Sequence, residues 1–135
     1  MSKTYLNPSA LFPSQQYGFC QGVATVGKTT VYVSGQVGWH AAQQITDPAD
    51  LGTQTRQALE NLEIAVRAAG ETRTDIVSLR LYAWANTSTT PPYRCAKHYS
   101  ASSHQTICRA APGSGFPPWP AKIFLIEIEA VAVLE

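Results

Sequence analysis

The chain is 135 residues long, enough for one hydrophobic core and too short for two independently cored domains. With 44% hydrophobic and only 14% charged residues, against a usual charged share of about 25%, the composition excludes disorder and would leave a monomer with an uncommonly uncharged surface, so self-association is expected. A formal net charge of +1 with no basic stripe makes nucleic acid an unlikely partner and argues against an anionic membrane.

The opening Met1-Ser2-Lys3-Thr4-Tyr5 is too polar for a signal peptide, and no apolar run approaches the roughly 18 residues of a membrane span, so a cytoplasmic protein is expected. Cys20, Cys95 and Cys108 make an odd count, which reads as reduced thiols rather than a disulfide framework.

Two valine-rich runs, Phe19 to Val26 and Thr30 to Ser34, flank Gly27-Lys28 and read as a hairpin. Asp47-Pro48-Ala49-Asp50 then offers an N-cap, a proline at the first helical position and an acid in the first turn, while Gly70 supplies a stop. A helix from about Pro48 to Ala69 is expected, its apolar stripe formed by Leu51, Ala58, Leu59, Leu62, Ala65, Val66 and Ala69. Asp75 to Trp84 alternates as a strand, with Val77, Leu79, Leu81 and Ala83 on one face and Ser78, Arg80 and Tyr82 on the other.

Ile123 to Leu134 is a longer alternating run that reads as a central strand. Ile126, Ile128, Ala130 and Ala132 share one face, so Glu127 and Glu129 lie together on the other, about 7 Å apart along the strand. Carboxylates in so apolar a strand either face solvent or a neighbouring subunit, or serve a ligand or a proton transfer.

The stretch between Asp75 and Glu127 holds no acidic residue in 51 positions, yet holds six of the nine prolines, and its helical periodicity is poor. Cys95, His98, His104 and Cys108 supply ligand types that suit zinc, but their spacing is not a usual finger pattern, and no metal site is expected there.

Asn7-Pro8-Ser9-Ala10-Leu11-Phe12-Pro13, Gln16-Tyr17-Gly18-Phe19 and Val33-Ser34-Gly35-Gln36-Val37-Gly38-Trp39 together resemble the Rid/YjgF family of reactive-intermediate deaminases, also known as endoribonuclease L-PSP. Gln54 to Leu62, Ala68-Ala69-Gly70, Asp75-Ile76-Val77 and Ile126 to Val133 continue the resemblance in the same order, with a break between residues 84 and 124. It implies an α+β, chorismate-mutase-like mixed β-sheet with two helices packed on one face, assembled as a homotrimer with inter-subunit clefts. It further implies hydrolysis of small 2-imino acids to 2-oxo acids and ammonia, with no cofactor and no metal.

Carried over residue by residue, Glu127 matches the glutamate that places the attacking water, Ser34 and Gly35 fall in the Ser-Gly-Gln signature, and Phe19 stands where deaminating members have a cleft tyrosine. Tyr17 and Trp39 are further candidates to line the cleft. The carboxylate-binding arginine belongs about fourteen residues before Ile126, where this chain has Pro112, with Arg109 the nearest arginine. Phe19 and Pro112 favour a second reading, a non-catalytic small-molecule-binding trimer. A ribonuclease or translation inhibitor is a weaker third, given the net charge of +1.

The break also has a reading in the genetic code. Reading each codon from its third base across Ser114 to Phe124 permits Gly-Val-Ser-Ala-Leu-Ala-Ser-Gln-Asp-Phe, a family-like run leading directly into Leu125-Ile126-Glu127. Residues 86–123 are therefore either translated out of frame relative to an ordinary member or belong to a divergent one, and a chain with this written segment is expected to form a weakened trimer.

Overall fold

Alternation along the last strand organises the molecule. In a computed structural model of the chain, residues 2–70, 72–83, 106–110 and 124–134 are described. The strands are Ser2–Leu6 (β1), Gly22–Val26 (β2), Thr29–Val37 (β3), Ile76–Ala83 (β4), Thr106–Ala110 (β5) and Ile126–Leu134 (β6), with one helix, Leu51–Ala68 (α1), between β3 and β4. Ile126, Ile128, Ala130 and Ala132 of β6 are buried, while Glu127, Glu129 and Val131 on its other face are half-buried.

As its composition predicts, β6 is central. The main sheet has the order β3-β6-β4-β5, antiparallel except for the β4–β5 pair. Ala58, Leu62 and Val66 of α1 meet Val33, Leu79, Leu81 and the apolar face of β6 in one core, leaving the opposite face of the sheet without a helix among the described residues. No described helix is long and apolar enough to cross a membrane.

The hairpin expected at Gly27-Lys28 does not form. β2 pairs with β1 in a separate two-stranded sheet, Ser2 opposite Val26 and Leu6 opposite Gly22, whereas β3 pairs with β6. The end of β6 imposes this corner: the Lys28 N–H donates to the Leu134 carbonyl at 2.8 Å, and a Cβ on Gly27 would lie 2.4 Å from that same oxygen. A two-residue turn between neighbouring strands is thereby replaced by a crossing from one sheet to the other.

Helix α1 begins three residues later than its Pro48 expectation. Asp50, rather than Asp47, is the N-cap, accepting from the Gly52 and Thr53 N–H groups at 3.1 Å each, while Asp47 accepts from Ala49 in a local turn at 2.8 Å. Gly70 ends the helix as expected, in the left-handed region at φ +91° and donating to the Arg67 carbonyl at 2.9 Å. In β4 the register slips between Ile76 and Ser78, so Ile76 enters the core beside Leu79 and Leu81 and Val77 stays half-buried.

Two amides on α1, seven residues apart and so on one side of the helix, tie the loop after β3 to the core. Gln54, fully buried, donates to the Asp47 carbonyl at 2.8 Å and accepts from the Leu125 N–H at 2.9 Å. Asn61 donates to the carbonyls of Val37 and Trp39 at 3.0 and 2.7 Å.

The second helix implied by the family resemblance, residues 86–123 read out of frame apart from β5, and the ligand types Cys95, His98 and His104 lie outside the described residues, as does the Cys108 side chain. Replacing Gln54 by Leu keeps its bulk and orphans the Asp47 carbonyl and the Leu125 N–H. We expect a loss of about 1–3 kcal/mol for each orphaned group, read as a lower urea midpoint with an unchanged slope; an unaltered midpoint would remove Gln54 from this role.

Candidate functional site

The sheet face turned away from α1 carries the polar residues. Cross-strand partners share a face, so the pairings of Arg80 with Glu129 and Tyr82 with Glu127 place all four there. β5 adds the Arg109 backbone in register with Tyr82, completing a row Glu127, Tyr82, Arg109 across three strands.

A bulge shapes the site from the other side. Between Val33, opposite Ala130, and Gln36, opposite Ile128, β3 supplies two residues, Ser34 and Gly35, against the single Glu129. The Gln36 side-chain amide donates to the Ser34 carbonyl at 3.1 Å across this bulge. Glu127 lies directly on Gly35, where a Cβ would fall 1.8 Å from Glu127 Oε1, so only glycine fits beside the carboxylate.

Burial, and behind it the charge of Glu129, raises the Glu127 carboxyl above the usual glutamate range. Glu129 is held more loosely. Arg80 Nη1 stands 3.7 Å from Glu129 Oε2, and the Tyr82 hydroxyl donates to that oxygen at 3.5 Å, the outer limit of a hydrogen bond. With 59% of the Arg80 side chain exposed, the ion pair contributes about 0–1 kcal/mol.

Next to this cluster lies a groove of about 240 Å³ lined by Tyr32 and Ser34 of β3, Glu129 and Val131 of β6, and Ser78 and Arg80 of β4. Tyr32 stands 79% exposed at its rim. Ser34, Gly35 and Glu127, three of the residues singled out in the sequence, therefore meet at the bulge or its groove.

The others sit elsewhere in the chain. Trp39 packs edge-on against Phe124, ring centres 5.0 Å apart, at the entry to β6, and Phe19 packs against Phe12 at 6.0 Å. Tyr17 closes a short 3-10 turn, and its side chain lies outside the described part. Cys20 is buried, and burial raises its thiol pKa, which suits a packing role rather than a nucleophile. Among the described residues no three His, Cys, Asp or Glu side chains are placed to hold a metal.

Sequence reasoning missed Arg80 and Tyr82. Alternation puts them on the polar face of β4, but only the pairing register shows that this face adjoins Glu127 and Glu129.

An acidic centre on one face of a mixed sheet, with α1 packed on the other, makes the described part a small α+β domain. The chain belongs to the Rid/YjgF family: the family profile described as endoribonuclease L-PSP matches residues 10–134. Among solved structures, YyfB from Yersinia pestis, a protein of unknown function of the conserved Rid protein family, is 31% identical with a TM-score of 0.75, covering 99% of this chain and 100% of that one. Rv2704 from Mycobacterium tuberculosis, of the YjgF/YER057c/UK114 family, is 24% identical with a TM-score of 0.52, covering 98% and 100%. Yeast Mmf1, at 17% identity and a TM-score of 0.61, covers 99% and 100%, and these last two show likeness of fold alone. No curated protein matches the sequence.

Because Glu127 holds its proton more tightly in the folded than in the unfolded chain, the stability it contributes is present below the ordinary glutamate value of 4.5 and lost as pH rises through the raised folded value. Glu127→Gln is therefore expected to unfold at higher urea than the parent at neutral pH, with the gap closing below 4.5, where both states of the parent hold the proton. Denaturation curves at the two pH values check this. Gly35→Ala should cost roughly 1–3 kcal/mol by driving a methyl group into the carboxylate, and an unchanged melting curve would show that Glu127 simply swings aside.

Proposed function

We propose that the protein hydrolyses small 2-imino acids to 2-oxo acids and ammonia, with Glu127 as the proton-transferring residue. The observation that carries this reading is a half-buried carboxylate of raised proton affinity, fixed against Gly35 on an open sheet face. Water adds to the imine carbon as Glu127 takes one of its protons. That proton passes to the nitrogen to give a carbinolamine, whose hydroxyl proton then reaches the nitrogen through Glu127 as the C–N bond breaks, so that the C=O bond forms and ammonia leaves.

A carboxyl of raised pKa suits both halves of this sequence, since it accepts the proton as carboxylate and returns it as a carboxylic acid. The reading includes a homotrimer, with the sheet face opposite α1 contributing to clefts between subunits, and a cytoplasmic location. Support for self-association is the 14% charge content and the exposed Tyr32 on that face.

A non-catalytic small-molecule binder of the same fold is the second reading, favoured by Phe19 and Pro112 at the positions where the resemblance implies tyrosine and arginine. Ammonia release from freshly generated 2-iminopropanoate separates the two. A hydrolase exceeds the spontaneous rate, and Glu127→Gln lowers kcat/KM by roughly 10²–10⁴-fold; a binder leaves the spontaneous rate unchanged. The rate should fall as pH drops through the Glu127 pKa, above the ordinary glutamate value. Light scattering should give three times the 14.6 kDa chain mass, and a monomer would refute the trimer.

A further inference from the structure

We infer that Arg80 is the anchor for a single carboxylate in the groove beside Glu127, so that the groove takes a small monocarboxylate in a fixed orientation. The inference deepens the reading above by supplying the contact that orients its substrate.

Arg80 is the cation among the groove's lining residues, and its guanidinium is incompletely used. The one described ion pair, to Glu129, is a single contact of 3.7 Å between an exposed guanidinium and a half-buried carboxylate, longer than a hydrogen bond and made by one of the two terminal nitrogens. A guanidinium presents five N–H donors in a planar fork that matches a carboxylate edge to edge. The Ser34 and Ser78 hydroxyls line the same groove from the strands on either side of β6 and offer further donors to the ligand's oxygens.

Charge restricts the ligand. One cation facing Glu129, with Glu127 one outward position along the strand, accommodates a monoanion and opposes a phosphate or dicarboxylate, whose second charge would meet these acids. The register sets the orientation. Arg80 is opposite Glu129 and diagonal to Glu127, about 7–8 Å from it across the strands, so a carboxylate on Arg80 directs the adjoining carbon and its nitrogen toward Glu127. The groove's 240 Å³ suits a ligand of only a few heavy atoms.

The test is calorimetric titration of the full chain with pyruvate and with its neutral methyl ester. Wild type is expected to bind pyruvate at least tenfold more tightly than the ester, Arg80→Gln to lose that preference, and Arg80→Lys to retain only part of it, since an ammonium has charge without the fork. Should Arg80→Gln fail to fold, Arg80→Lys decides alone: an undiminished preference overturns the proposal and a reduced one supports it.

Absence of acid-over-ester preference in wild type, full preference in Arg80→Gln, or a loss confined to Arg109→Gln would each overturn it. The ammonia assay reports separately. Carboxylate binding through Arg80 without ammonia release would end the hydrolase reading and leave the anchor standing, whereas ammonia release indifferent to Arg80 would do the reverse.

Discussion

Everything in this fold depends on one strand whose two faces face different surroundings. β6 buries Ile126, Ile128, Ala130 and Ala132 completely or nearly so, and the same nine residues carry Glu127 and Glu129 outward. Because successive side chains point to opposite sides, a carboxylate can sit within one residue of the core without entering it. The apolar face draws α1 onto the sheet, and that choice of side leaves the other face to the acids. Fold and site are in this sense a single arrangement.

Much of that arrangement is readable in the sequence itself. Alternation in β6 and β4, the stripe on α1 and the shared face of Glu127 and Glu129 follow from periodicities of two and of 3.6, properties of the backbone rather than of its partners. What failed involved partners. The runs around Gly27-Lys28 have every local feature of a hairpin, yet each strand finds a better neighbour elsewhere, and Leu134 fills the corner between them. The choice of Asp50 over Asp47 as cap is a competition between two equally suitable side chains, decided by where the helix must lie on the sheet. Arg80 was placed on a polar face but had no assigned neighbour, since register is a long-range property.

Polar groups within the core do some of the positioning that apolar packing alone leaves undetermined. Gln54 and Asn61 bind backbone groups from Val37 to Asp47 and from Leu125, so the loop leaving β3 and the residues entering β6 are both fastened to α1. Buried polar side chains with satisfied partners specify one arrangement among several of similar apolar burial. Here they set where β6 starts, and with it the position of Glu127.

The two bulges have a consequence for how length changes are read in this fold. Before Ser34, the odd-numbered positions of β3 face the helix; after Gly35, Gln36 pairs with Ile128 and Val37 with Glu127, so the even-numbered ones do. β4 makes the same inversion at Val77 while β6 keeps its phase throughout. Each flanking strand is thus two segments in opposite parity, joined at one spare residue. Loss of that residue would restore one-to-one pairing, leaving Val33 and Gln36 on the core face opposite Ala130 and Ile128 and the flanking side chains on their present sides. A single-codon deletion at Ser34 or Gly35 would thus straighten the strand with both faces intact, whereas a deletion away from the bulge would turn over the segment between the two points.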